Sequence, residues 1–349
     1  MEFVLPELLS NSEPITMSGA IGGVVGRAFM TGCQPDANRV VLGAYGVTVV
    51  SVLNYKGGVG KTTVTANLGA DLAYRGRRVL LIDLDPQASL TFSFYTADEW
   101  DTQLRPSKTV LHWYDSFNWS SSTKSLGDLV TTPPRVNALV RSRGGQLDLI
   151  ASDLGLVDVE LDLAAGLGGS RYQTFNPDYV TVHRLLADAL GEEEFAGYDM
   201  ILIDCPPNFN MVTRTAVVAS QHILVPAKAD YLSTLGIDYL RRRLTQLVEQ
   251  YNGVAGPAPE ACINPEVLGV VFTMIQYAGS NLMTKIGNYI DRAIEAGVPV
   301  FRQTVRESKS VFADTGELGI PAVLAAHATK NVEYDLKQLT SEFIARTRI

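Results

Sequence analysis

The 349-residue sequence is poor in the residues that build metal centres and disulfide frameworks. It has three cysteines, Cys33, Cys205 and Cys262, and four histidines. No two cysteines stand as C-x-x-C and none has a zinc spacing. A disulfide-dense secreted scaffold and a zinc module are therefore excluded, and a reducing cytoplasm is expected. No apolar run approaches the roughly 20 residues that a membrane-spanning helix needs. The "MTGC" at residues 30–33 resembles a lipoprotein cleavage site only faintly. Arg27 interrupts the apolar segment before it, and Glu2 and Glu7 stand where an export signal carries lysines. No export signal is expected. A basic excess is missing as well. The formal net charge is −8, which excludes a strongly basic nucleic-acid coat but leaves room for local basic faces.

What is present is an ordinary core-forming composition, 46% hydrophobic and 19% charged. Residues 1–45 are rich in Gly, Ser, Asn and Pro. "SGAIGGVVGRAF" holds too many glycines for a helix, so an N-terminal extension is expected, either a loosely ordered arm or one that embraces a partner. From Val47 the pattern becomes regular. "VTVVSVL", "RVLLIDLDP", "QLDLIAS", "YDMILIDCPP", "HILVPAK" and "VLGVVFTM" are short continuous apolar runs, with "VPVF" a weaker one. Such runs suit strands buried on both faces. Helical segments such as "TVHRLLADAL" and "IDYLRRRLTQLVEQY" lie between most of them. The alternation predicts an α/β fold, a mostly parallel twisted sheet flanked by helices on both faces. One stretch, residues 94–125, breaks the rhythm and contains all three tryptophans, Trp100, Trp113 and Trp119. It reads as an insert whose aromatics either cover a core edge or form a partner surface.

Ligands of open α/β sheets bind beyond the carboxyl ends of the strands, and three chemical groups fall there. The first is Gly57, Gly58, Val59, Gly60, Lys61, Thr62 and Thr63, between a strand and a helix carrying Val64, Leu68 and Leu72 on one face. Glycines let backbone N–H groups close on phosphate oxygens, and the helix N-terminus adds a favourable dipole. Lys61 can reach the β- and γ-phosphates, and the Thr62 hydroxyl can ligate Mg²⁺. The pattern departs from G-x-x-x-x-G-K-[ST] at its opening, where Tyr55 replaces glycine and Lys56 follows. The second group is Asp83 and Asp85, two apart at a strand end and so expected on one face. The third is Asp204, ending "MILID" as a metal-holding carboxylate would.

Taken in order, "KGGVGKTT", "LLIDLDPQASLT" and "ILIDCPPN" resemble the deviant Walker A, A′ and B boxes of the ParA/MinD ATPase superfamily. "ILVPAKADYLSTLGI" and "VRESKSVFADTGELGIPAV" extend the resemblance to the ParA branch, over residues 46–349 apart from the insert. The resemblance implies a P-loop ATPase that uses ATP and Mg²⁺ and dimerises with ATP sandwiched between subunits. It implies that Lys56 reaches the partner subunit's ATP and that Asp85 orients the attacking water. Asp83 and Asp204 would hold the Mg²⁺ water shell with Thr62. Pro226, Thr273 and Met274 would lie near the adenine.

Within the superfamily, iron–sulfur carriers need bridging cysteine pairs, which Cys33 and Cys205 do not supply. A MinD-like membrane or secretion switch needs a basic amphipathic tail. Here Leu336, Leu339 and Phe343 form a stripe diluted by Asp335 and Glu342, as in a core-packed terminal helix. The remaining reading is a ParA-like ATPase, cytoplasmic and nucleoid-associated, binding non-specific DNA and stimulated by a ParB-like or other adaptor. Its cargo would be a plasmid, a chromosome site or a protein assembly. Candidate phosphate contacts are Arg241, Arg242, Arg243, Arg302, Arg306 and Lys309, with Lys330, Lys337, Arg346 and Arg348 behind them. The alternative for each is a solvated face.

Overall fold

Six parallel strands carry the architecture: β1 (Thr48–Val52), β2 (Arg78–Asp83), β3 (Gln146–Ile150), β4 (Met200–Asp204), β5 (His222–Lys228) and β6 (Glu266–Thr273). They lie in the order β3-β2-β4-β1-β5-β6. The computed structural model describes residues 46–118, 121–122, 124–168, 176–256, 262–278, 281–282, 284–326 and 328–349. The principal helices among them are α1 (Lys61–Tyr74), α2 (Pro134–Val140), α3 (Leu156–Gly166), α4 (Tyr179–Leu190), α5 (Met211–Val218), α6 (Tyr231–Ala255), α7 (Thr284–Glu295), α8 (Lys309–Leu318) and α9 (Lys330–Thr347).

The strands read as unbroken apolar runs because both faces of the sheet are covered. Leu80, Ile82, Ile201 and Ile203 point into one layer, shared with α4, α5 and α6. Val50, Val52, Leu81 and Leu202 point into the other, shared with α1, α2 and α9. Helix α1 sits directly on the sheet. A Cβ at Gly69 would stand only 2.6 Å from Leu81 Cδ2, so the glycine permits that approach. The helix stops where Gly76 takes a φ of +91°.

The C-terminal helix packs as its stripe predicts, with Leu336, Leu339 and Phe343 all buried in the second layer. The weak run 298–301 does not form a strand. It meets β6 through one parallel bridge, Val270 with Val300, because Pro299 has no N–H to extend a ladder. In the tryptophan-bearing stretch, Trp100 and Trp113 are buried. Trp100 Nε1 donates to the Ser152 carbonyl at 3.0 Å, and Thr109 bridges to Ala151 beyond the end of β3. These two aromatics cover the sheet's edge; Trp119 lies outside the described residues.

Candidate functional site

Strand register assembles the site. Asp204 at the end of β4 is level with Val52 of β1 on one side and with Asp83 of β2 on the other. The ends of β2, β4 and β1 therefore open side by side under the glycine loop. A groove of about 830 Å³ runs across them, lined by Gly57, Gly58, Lys61, Thr62, Asp85 and Asn208 among others.

The loop has the form its sequence calls for. Gly58 and Gly60 have φ of +64° and +84°, a region side chains avoid. A Cβ at Gly57 or Gly58 would meet nothing within 4 Å, so their backbone faces open space able to admit a phosphate group. Thr273 Oγ1 donates to the Val59 carbonyl at 2.7 Å and ties the loop to the end of β6. Asn54, buried and absent from the sequence reading, ties it to β5. Its Nδ2 donates to the Pro226 carbonyl at 2.8 Å, and its Oδ1 accepts from Lys56 N at 3.0 Å. Tyr55 explains the missing glycine: its ring packs 4.9 Å from Tyr239 and 5.9 Å from Phe209, anchoring the loop's entrance.

Charge is concentrated beneath the loop. Lys61 is buried, and burial lowers its pKa against the opposing pull of Asp204 and Asp85. Thr62 Oγ1 donates to Asp204 Oδ2 at 2.6 Å. Burial raises the carboxyls of Asp204 and Asp83, with Asp204 adding to the rise at Asp83 by repulsion. The hydroxyl, the carboxylate and the neighbouring lysine are all oxygen or cation groups suited to a hard divalent ion and phosphate oxygens.

The structure separates the two carboxylates that sequence spacing puts on one face. Strand β2 ends at Asp83, so alternation does not carry through to Asp85. Asp83 is fully buried, and its Oδ2 accepts from both the N–H and the hydroxyl of Thr91 at 2.8 Å. Asp85 lines the groove, while its Oδ1 also accepts from Gln87 N at 3.0 Å. Met274 reaches the groove; Pro226 and Thr273 are buried behind the loop. Lys56 turns sideways within its own chain. Its Nζ lies 2.7 Å from Asp230 Oδ2 and 3.4 Å from Ser233 Oγ at the start of α6. Burial alone would raise the Asp230 carboxyl, but Lys56 and Ser233 hold it below the ordinary carboxylate range.

The arginines divide. On α6, Arg241 and Arg242 are exposed, whereas Arg243 turns inward over the Phe209 ring at 5.9 Å. Arg302 and Lys309 are exposed. Arg306 is bound by Asp335, with Nε donating to Oδ2 at 2.7 Å and Nη2 to Oδ1 at 3.0 Å. Arg346 and Lys337 pair with Glu342 and Glu333 of their own helix.

The parallel sheet, the glycine loop and the carboxylates at adjacent strand ends define a P-loop nucleoside-triphosphatase fold, and an AAA-domain family model matches residues 47–254. The chromosome partitioning protein ParA of Caulobacter vibrioides is 35% identical over 229 residues, covering 65% of this chain and 69% of that protein. The chain belongs to the ParA family. Its fold resembles that of a Cyanothece McdA–ATP complex, with a TM-score of 0.61, 18% identity and coverage of 85% of this chain and 96% of that one. A Borrelia burgdorferi plasmid partition protein bound to AMPPNP gives a TM-score of 0.60 at 19% identity, over 86% of this chain and 99% of that one.

Proposed function

We propose that this chain is an ATP hydrolase that uses Mg²⁺ and works as a nucleotide-dependent switch in partition or cargo positioning. The observation that carries the reading is the open glycine backbone set over Lys61 and the Thr62–Asp204 pair. Bound ATP–Mg²⁺ supplies the phosphoryl group and the divalent charge. The N–H groups of residues 57–63 and the Lys61 ammonium hold phosphate oxygens, while Thr62 and Asp204 hold the metal, with Asp83 steadying that edge from below. Asp85, at the groove wall, orients a water and accepts its proton. Met274 borders the base.

Lys56 has two states in this reading. In one it is held by Asp230; in the other it swings to neutralise phosphate charge across a dimer of the chain. Apolar side chains around α6's first turns, Tyr231, Leu232 and Leu235, are exposed and support self-association. The assembled dimer binds duplex DNA without sequence preference through Arg241, Arg242, Arg302 and Lys309, which places it on the nucleoid. An adaptor accelerates hydrolysis and releases it. The MinD-like alternative loses support from α9, whose apolar stripe is spent inside the core.

Two variants test this. Asp85→Ala should bind ATP and self-associate, yet hydrolyse at least about a hundredfold more slowly in single turnover. Lys56→Ala should bind ATP as the parent does but fail to sediment as a dimer with it. Normal dimerisation and hydrolysis by Lys56→Ala would remove that lysine from the mechanism. Loss of ATP binding by Asp85→Ala would make Asp85 a structural residue.

A further inference from the structure

Ser152 takes no part in the chemistry above, yet each of its polar groups is engaged by a different segment of the chain. It lies two positions past the end of β3 and is fully buried. Its N–H donates to Thr91 Oγ1 at 3.0 Å, and its Oγ donates to the Asp85 carbonyl at 2.6 Å. Its own carbonyl accepts from Trp100 Nε1 at 3.0 Å. Thr91 in turn gives its hydroxyl proton to Asp83 Oδ2 at 2.8 Å. One serine thus joins the tryptophan-bearing insert, the end of β2 and the turn that carries Asp85.

That turn needs holding from outside. Ala88, buried within it, has a φ of +52°, a left-handed conformation that a Cβ makes costly. Such strain persists only where the surrounding contacts over-determine it. Two bonds on the Asp85 backbone come from near neighbours. Its N–H donates to Asp83 Oδ1 at 3.2 Å, and its carbonyl accepts from Ala88 N at 2.8 Å. Ser152 reaches the same carbonyl from 67 residues away, with the single proton its hydroxyl can donate.

We infer that Ser152 is a positioning residue, bracing the turn from which the Asp85 carboxylate meets the groove, and that the insert sets this brace through Trp100. Trp100 has a second line to the same wall. Its ring meets that of the groove-lining Phe92 edge-on, with centroids 5.7 Å apart. A displacement of the insert is therefore felt at Ser152 and at Phe92 together. An oriented water loses much of its reactivity when its holder moves by an ångström, so a brace two bonds removed from the carboxylate can govern turnover. The effect on turnover rests on the ATPase reading; the brace itself does not.

The test uses the full chain and reads the two separately. Ser152→Ala deletes the hydroxyl, and Trp100→Phe keeps a ring while deleting the Nε1 donor. Hydrogen exchange over residues 84–91, measured without nucleotide, should rise about tenfold in Ser152→Ala and less in Trp100→Phe, with α9 unchanged. Single-turnover hydrolysis by Ser152→Ala should fall about tenfold while fluorescent-nucleotide affinity stays at the parent value. Added to Asp85→Ala, Ser152→Ala should slow hydrolysis no further, because both act through one carboxylate. Unchanged exchange in both variants overturns the brace. A full tenfold loss in the Asp85→Ala background, or weakened nucleotide binding by Ser152→Ala, overturns the positioning role, since the serine would then support the fold at large. If exchange rises while Asp85→Ala hydrolyses as the parent does, the brace stands and the role given to Asp85 falls.

Discussion

Buried charge is held in one way at the ends of β2 and β4 and in another between Arg306 and α9. At the strand ends Asp83 and Asp204 lie level with each other and repel each other, and the buried Lys61 acts on Asp204. Near α9, Arg306 meets Asp335 through two side-chain hydrogen bonds, and Val332 and Leu336 on either side of Asp335 pack into the core. The first arrangement concentrates carboxylates where a ligand's charge can complete them. The second closes on itself, one cation to one anion. Identical residue types thus serve a site in one place and a scaffold in the other, and the geometry of pairing tells them apart.

The largest expected effect breaks the closed pair. Asp335→Ala leaves the Arg306 guanidinium facing an empty, mostly buried position, which should cost about 3 kcal/mol of unfolding free energy. Urea denaturation should show it, with nucleotide affinity in the surviving folded protein unchanged. A stable Asp335→Ala protein with weakened nucleotide binding would reverse the assignment of the two regions. Lys61→Ala is the counterpart at the strand ends. It removes a charge-assisted contact, so nucleotide affinity should fall by about a hundredfold while the folded state persists. An unaltered fluorescent-nucleotide titration would exclude Lys61 from the phosphate site.

The same contrast explains what was legible in the sequence. Strand order cannot be read from apolar runs, but their buried character can, since a strand covered on both faces needs no alternation. The phosphate loop was legible because its glycines answer to backbone conformation, and Lys61 and Thr62 follow at fixed distance along the first turn of a helix. Asn54, Thr91, Asp230 and Ser233 were not, because their roles depend on how strands and loops fold back on one another and not on a local spacing. Thr91 reaches Asp83 across eight residues, and Asp230 reaches Lys56 across 174. For Arg306 the basic side chain was visible but its carboxylate, 29 residues away, was not. Local rules predict groups held by their own backbone; they do not predict which charge finds which partner.

A third kind of buried titratable group sharpens the comparison, since His183 has no counter-ion among the described residues. Its Nδ1 donates to the Tyr179 carbonyl at 2.8 Å, its Nε2 is buried without a partner, and burial pushes its pKa down to about 4. The folded state therefore keeps the imidazole neutral where the unfolded chain has protonated it. Stability should be full above the ordinary histidine value near 6.5 and decline as pH falls toward about 4, at up to about 1.4 kcal/mol per pH unit. His183→Leu should flatten that part of the profile. Equal slopes for parent and variant in pH-dependent urea unfolding would show that His183 is not the group responsible.

The smallest effect concerns the exposed arginines. Arg241 and Arg242 project from α6 into solvent, so reversing their charge leaves no buried partner unsatisfied and the fold should be indifferent. If they contact DNA phosphates, each contributes to counterion release and to nothing sequence-specific. Arg241→Glu/Arg242→Glu should therefore weaken duplex binding in the ATP state by about tenfold at moderate salt and make its logarithmic salt dependence shallower by about two. The loss should be the same on unrelated duplexes. Arg306→Glu provides the opposite case, because it sets two carboxylates face to face at Asp335 and should unfold the protein before any DNA measurement is possible. An unchanged salt slope in the α6 variant would place the DNA face elsewhere, with Arg302 and Lys309 the next residues to reverse.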